Sequence, residues 1–335
     1  MMKFLKFLLS LSIVAIIFYA LGPQVKPGEY TDGLYNIPDT GAALQQWVAT
    51  KESQFKLKPD NKARIIWNND SLKLRTKYAV VYLHGFTASQ EEGAPTHIDF
   101  AKAIGANLYL SRLSEHGKDT SDPLYNMTAT SLWESAKEGY SIGKKLGDKV
   151  ILMGTSTGGT LAIMLAAEQY PEIAGLVLMS PNIEINDPFA FLANDQWGLQ
   201  IARLVLGGKS RTAPDSSDVY KKYWNYQYRN ESIVQVQQML EDKMTEETFK
   251  KLNQPLLMLY YYKDDQHQDP VVRVSAMLNM FDKISTLPSQ KRKLAIPEAG
   301  DHVLGSYIKS NDLKTVEKAT QQFASDMGWT AAGSQ

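Results

Sequence analysis

The chain has 335 residues, 36 basic and 36 acidic side chains, 44% apolar residues and no cysteine. Balanced charge leaves no long-range field to draw it to nucleic acid, and the absence of cysteine excludes disulfides, thiolate metal sites, a cysteine nucleophile and lipid attachment at an N-terminal cysteine. What remains is a globular chain, long enough for one large α/β domain or two small ones, with small or neutral molecules as its expected partners.

The first 22 residues set Lys3 and Lys6 ahead of an apolar run from Phe7 to Leu21 that only Ser10 and Ser12 interrupt. Such a run is an export signal or a membrane anchor. Signal cleavage favours small side chains, and bulky Phe18 with Pro23 close behind points to an uncleaved anchor. In either case the lysines stay inside and the rest of the chain faces the outer side of the membrane. Residues 23–63 read as linker and short helix. PQVKPGEYTDGLYNIPDTG, rich in Pro, Gly and Asp, suggests a tether, and Leu44, Trp47 and Val48 then recur at helical spacing as packing residues.

From residue 64 short apolar runs alternate with helical patterns. The runs are 64–67, 78–85, 107–113, 149–154, 175–181, 255–262 and 292–299, and helical spacing recurs over 93–104, 128–146, 157–170, 271–283 and 311–327. Ser131 and Glu134 have the spacing of a capping box for the second of these helices. Because the runs are apolar throughout rather than alternating, they predict parallel strands covered by helices on both faces, an α/β fold with a mostly parallel sheet. The interval 185–254 breaks the rhythm, being far longer than the ~2 to 6 residues of an ordinary connection, and predicts an inserted structure.

Gly154-Thr155-Ser156-Thr157-Gly158 is a G-x-S-x-G sequence between a predicted strand and a predicted helix. Glycines at 154 and 158 allow a sharp turn that exposes the Ser156 hydroxyl at a helix N-terminus, where a nucleophile is wanted. A phosphate-binding loop of the Walker type would require Lys-Ser or Lys-Thr after the glycines, and Thr160-Leu161 follows instead. A serine hydroxyl needs a base. Of the five histidines, His302 follows the last predicted strand, and it comes last in the order serine, acid, histidine that suits such a sheet. Three aspartates follow the strand at 255–262. Asp269, directly before Pro270-Val271-Val272 and the expected start of the next helix, is the preferred acid; Asp264 is the alternative and Asp265 stands behind both. The amide after the nucleophile, Thr157, and that of Phe86, after Gly85 at the end of an early strand, are the expected oxyanion donors, with His84 orienting that loop. This chemistry calls for no cofactor and no metal.

YLHGFTAS, NLYLSRLSEHG, GTSTGG, DPVV and AGDHV together resemble, in order and position, the α/β-hydrolase superfamily, in particular its monoacylglycerol lipase-like and carboxylesterase-like branch, often called serine aminopeptidase-like. The resemblance covers roughly residues 64–327. It departs from the branch's pattern where Glu115 replaces a usual glycine in Arg112-Leu113-Ser114-Glu115-His116-Gly117, and where Gln266 stands three residues before Asp269 in place of glycine. The resemblance implies an α/β-hydrolase core in two parts, 64–184 and 255–327, with 185–254 as an inserted cap. Aromatics of that insert, Phe189, Phe191, Trp197, Tyr220, Tyr223, Trp224, Tyr226 and Tyr228, are expected mostly to form its own core and otherwise to cover an apolar pocket. The implied activity is hydrolysis of small-molecule or lipid-like carboxylic esters with an apolar acyl group. Amide or peptide hydrolysis, or a catalytically silent binding protein on the same fold, are the alternatives.

Overall fold

A computed structural model of the protein describes residues 2–330. Helix α1 (Met2–Ala20) has no buried residue, and its length of roughly 28 Å, at 1.5 Å per residue, approaches the ~30 Å of a bilayer's hydrocarbon core. Helix α2 (Ala42–Glu52) buries Leu44 and Val48.

Between these helices lies the expected tether, and it is not free. Ile37 is buried, Tyr30 and Leu34 pack against the core, and the buried Lys137 ammonium donates to Thr31 Oγ1 at 2.7 Å and to the Gly33 carbonyl at 3.0 Å. The Trp133 indole donates to the Thr31 carbonyl at 2.9 Å. Proline and glycine keep this stretch out of helix and strand, but its backbone groups still find partners on the body.

The remaining chain alternates as its apolar runs predict: β1 (Arg64–Ile66), β2 (Thr76–Leu83), α3 (Thr96–Ala103), β3 (Asn107–Leu110), α4 (Ala129–Leu146), β4 (Gly147–Thr155), α5 (Thr157–Ala167) and β5 (Ile173–Met179). Each predicted apolar run contributes a strand to one seven-stranded sheet. The N-terminal cap of α4 differs from the expected Ser131–Glu134 pair. Thr128 is the cap, its side chain accepting from the Ser131 amide while the Ser131 hydroxyl accepts from the Thr128 amide. Serine thus takes the return role usually played by Glu or Gln. Glu134 accepts instead from the hydroxyls of Thr31 and Tyr35.

After β5 come α6 (Gly198–Val205), β6 (Ser210–Thr212), α7 (Asp218–Tyr223), β7 (Gln227–Arg229), α8 (Asn230–Lys243) and α9 (Glu246–Lys250), where β6 and β7 form a separate antiparallel pair. The sheet resumes with β8 (Leu256–Tyr260), followed by α10 (Val274–Lys283), β9 (Lys291–Ala295) and α11 (Leu313–Asp326). Helix α10 begins at Val274, later than expected, because residues 270–273 make a turn around Asp269 first.

The strand order is β1-β3-β2-β4-β5-β8-β9, parallel except for β1. Successive side chains of β2 alternate between two cores: Ala79, Val81 and Leu83 pack on the face of α4 and α5, while Val80 and Tyr82 pack with Phe100 of α3 and Phe323 of α11 on the other. Chain direction across the sheet reverses at β2 and β4, which are neighbours although β2 leads onward to β3. In an open α/β sheet that reversal leaves a crevice beyond the strands' C-terminal ends, where ligands bind.

Candidate active site

Ser156 stands at that crevice, between β4 and α5, with φ 53° and ψ −120°, a left-handed conformation unusual for a residue other than glycine. The chain can turn so sharply because Gly158 carries no side chain: a Cβ there would lie 1.9 Å from the Leu83 carbonyl oxygen of β2. At Gly154 a Cβ would come within 2.5 Å of the Gly158 backbone. Helix α5 then presents its first amides, beginning with Thr157, beside the Ser156 hydroxyl, and the first turn of a helix has no intrahelical acceptors for them.

His302 lies on the loop after β9, and its Nδ1 is 2.6 Å from Asp269 Oδ2. The second Asp269 oxygen accepts from the amides of Val271 and Val272, at 2.9 and 3.0 Å. Burial alone would raise the Asp269 pKa, but the His302 charge, their hydrogen bond and these two amides hold it below the ordinary carboxylate value. Burial would lower His302, whereas the Asp269 carboxylate holds it above the usual imidazole value. Nε2 of His302 is buried with no hydrogen-bond partner among the described residues. Asp264 and Asp265 do not share this placement. Asp264 is exposed and pairs with His267 Nδ1 at 2.8 Å, and Asp265 accepts from the Tyr262 hydroxyl.

Phe86 follows the turn at the end of β2. Two buried histidines brace this loop: His84 Nε2 accepts from the Leu113 amide at 3.0 Å, and His116 Nε2 accepts from the Thr87 amide at 3.1 Å. Burial lowers both pKa values, that of His116 to about 4, so these rings are neutral and can serve as acceptors. Nearby Glu115 adopts φ 65°, the conformation for which glycine is usual, and pairs with Lys118.

Ser156, Thr157, Phe86 and His302 line one cavity of about 350 Å³, walled by Ile185, Val236 and Val271 and by Tyr220, Trp224 and Tyr228 of the insert. Those three aromatics line the cavity and also pack, Tyr220 stacking on Trp224 and Trp224 sharing a buried cluster with Tyr223, while Phe189 and Phe191 are exposed. A larger hollow of about 550 Å³ opens among Gln24, Phe191 and Glu241, but it touches none of Ser156, Asp269 or His302. Sequence reasoning passed over Glu92, a buried carboxyl on the cavity wall. Its only sequence signal is a charge in SQEEGAP so soon after the turn at Gly85. No cluster of His, Asp and Glu among the described residues is arranged to hold a metal ion.

This architecture, a mostly parallel sheet with a serine on the sharp turn after β4 and a histidine after the last strand, is the α/β-hydrolase fold. The profile of the family described as serine aminopeptidase, S33, matches residues 131–302, just over half of the chain, and the chain belongs to that family. A thermostable monoacylglycerol lipase from Bacillus sp. (strain H-257) is 34% identical over 106 residues, 32% of this chain and 41% of that protein, so the match spans well under half of the relative. Among solved structures, one chain described with the metagenome-derived lipolytic enzymes LipS and LipT gives a TM-score of 0.62 at 17% identity, covering 80% of this chain and 98% of its own. A monoacylglycerol lipase from Paleococcus ferrophilus gives 0.58 at 16% identity, covering 79% and 98%. At such identities these two likenesses speak for the fold alone.

Proposed function

We propose that the protein is a serine hydrolase that cleaves carboxylic esters with an apolar acyl group through an acyl-enzyme. In this reading Ser156 is the nucleophile, His302 the base and Asp269 the acid, and the amides of Phe86 and Thr157 hold the oxyanion. The observation that carries it is the His302–Asp269 pair: a 2.6 Å contact at Nδ1 leaves a buried, unpartnered Nε2 on the cavity that Ser156 lines. Asp269 fixes the proton on Nδ1, so Nε2 can accept the Ser156 proton as Oγ attacks the ester carbonyl. As the tetrahedral adduct collapses, the departing alkoxide takes that proton from Nε2, and water repeats the sequence to release the acid.

The apolar walls Ile185, Val236 and Val271 support an acyl pocket, and the monoacylglycerol lipase named above supports a lipid-like ester as substrate. The insert 185–254 then acts as a cap over that pocket. Peptide or amide hydrolysis is the competing reading, favoured by the family's description. Helix α1 is long and apolar enough to cross a membrane, which supports an anchor or a signal sequence alike, and Lys3 and Lys6 ahead of it support a catalytic domain on the outer side.

A fluorophosphonate probe should label Ser156 in the wild type, and Ser156→Ala should lose labelling and essentially all turnover of p-nitrophenyl esters while staying folded. Turnover retained by Ser156→Ala would overturn the assignment, and a wild type that never labels would make this a binding protein. Faster cleavage of aminoacyl-anilides than of any ester would transfer the reading to amides.

A further inference from the structure

Glu92 has no role in the proposed triad, yet it is 2% exposed and sits between the site's two halves. Its Oε2 accepts from the Gly85 amide at 2.6 Å and from the Tyr82 hydroxyl at 3.3 Å. That hydroxyl also bonds Thr155 Oγ1 at 3.0 Å. Gly85 directly precedes Phe86 and Thr155 directly precedes Ser156, so one carboxyl ties the turn bearing one oxyanion amide to the elbow bearing the nucleophile. Space is tight: a Cβ on Gly85 would lie 2.7 Å from Glu92 Oε1 and 3.2 Å from Ser156 Cβ. Oε2 takes both hydrogen bonds and Glu92 contributes to the cavity wall, which leaves Oε1 as the oxygen free to carry a proton.

We propose that Glu92 is a positioning residue whose uncharged carboxyl holds the Gly85–Phe86 turn in register with the Ser156 elbow, and whose ionisation opposes turnover by setting a negative charge beside the developing oxyanion. The proposal rests on the serine hydrolase reading above. Preorganised donors stabilise an oxyanion strongly in a water-poor site, and a fixed anion nearby works against them by the same electrostatics. The titratable groups around the carboxyl are Tyr82 on β2, His97 packed edge-on against Tyr82, Tyr220 on α7, and Asp301 and His302 after β9. Among the described residues no lysine or arginine hydrogen-bonds or pairs with it, and Lys309, on the same cavity, pairs with Asp215. Burial therefore dominates and pushes its pKa up to about 7, where ionisation falls within the working range. Ionised Glu92 also favours the imidazolium of His302, so both limbs of the pH profile depend on this one group.

The test is the pH profile of kcat for a p-nitrophenyl ester, measured on the full-length wild type and on Glu92→Gln, whose amide can still accept from Gly85 but cannot ionise. The wild type should lose activity above neutral pH, and the substitution should raise kcat at pH 8, relative to the maximum of its own profile, by roughly 5- to 10-fold and move the acid limb to lower pH. A profile identical to the wild type's would overturn the proposal. If Glu92→Gln does not fold, Tyr82→Phe reads the same group: it removes a hydrogen bond that favours the carboxylate, so the alkaline limb must move up, and an unmoved limb counts against the proposal. Phosphonate labelling of wild-type Ser156 separates the two ideas. Labelling with unresponsive profiles discards the role of Glu92 alone, whereas no labelling discards the hydrolase reading and this proposal with it.

Discussion

Asp269 and Asp264 stand five positions apart and have different surroundings. Asp264 lies in solvent, engaged with His267 and the amides of Gln266 and His267, whereas Asp269 is buried with one oxygen on His302 and the other on two amides. Replacing it with asparagine should keep the turn, since an amide oxygen can still accept from Val271 and Val272. The new NH₂ would face Nδ1 and drive the imidazole proton onto Nε2, the atom that must be free. Asp269→Asn is therefore expected to lower kcat at least ~100-fold with a smaller change in KM, and Asp264→Asn less than ~10-fold. The sign of the pH effect follows from the same pair. The base works when neutral, and Asp269 raises its pKa, so the acid limb of the residual activity should move to lower pH in Asp269→Asn. A larger loss in Asp264→Asn would reverse the assignment.

Among the elements, the crossing of β2, β4 and α5 tolerates least. Helix α5 is apolar all round and buried along Thr157 to Ala166, as a helix pressed between the sheet and other helices must be. Its first turn meets the end of β2 at Gly158, where the obstructing atoms are backbone and cannot rotate away. Gly158→Ala should force strand and helix apart and remove soluble folded protein, or lower Tm by well over the ~2 °C that a 1 kcal/mol loss brings in a domain of this size. A variant with wild-type Tm would mean the helix can shift. Elsewhere, local signals translated closely into elements: the period-2 packing of β2 follows from a run that is apolar on both faces, and α4 starts within one residue of its expected position because Thr128 and Ser131 satisfy its first amides.

At the scale of the whole molecule, the seven-stranded sheet gathers Phe86 from the end of β2, Ser156 from β4 and His302 from beyond β9 at its C-terminal edge, under an insert that leaves from β5 and returns at β8. The N-terminal helix meets this body at Trp197, whose ring stacks on Phe18 with centroids 4.8 Å apart. Residues 23–41 then run along α4 rather than hanging loose, so a membrane holding α1 would also hold the body close to it. If α1 is an uncleaved anchor, membrane-bound protein should yield the intact N-terminal peptide by mass spectrometry. A mature chain beginning near Gln24 would show a cleaved signal instead.

The sequence alone determined the alternation of strands and helices, the sharp turn at Ser156 and the apolar character of the first helix, because each is written in the spacing of side chains over a few neighbouring positions. Only the tertiary structure decided which aspartate meets His302, since three carboxylates share one loop and the choice depends on where a loop 33 residues further along returns. It also decided that residues 23–41 are docked, because backbone groups in a Pro- and Gly-rich stretch carry no local mark of the partners they find on α4. Glu92 belongs with these. A charged residue in a polar run reads as solvated until the fold closes Tyr82, Gly85 and the elbow around it, and its burial is a property of those distant neighbours rather than of its own stretch of chain.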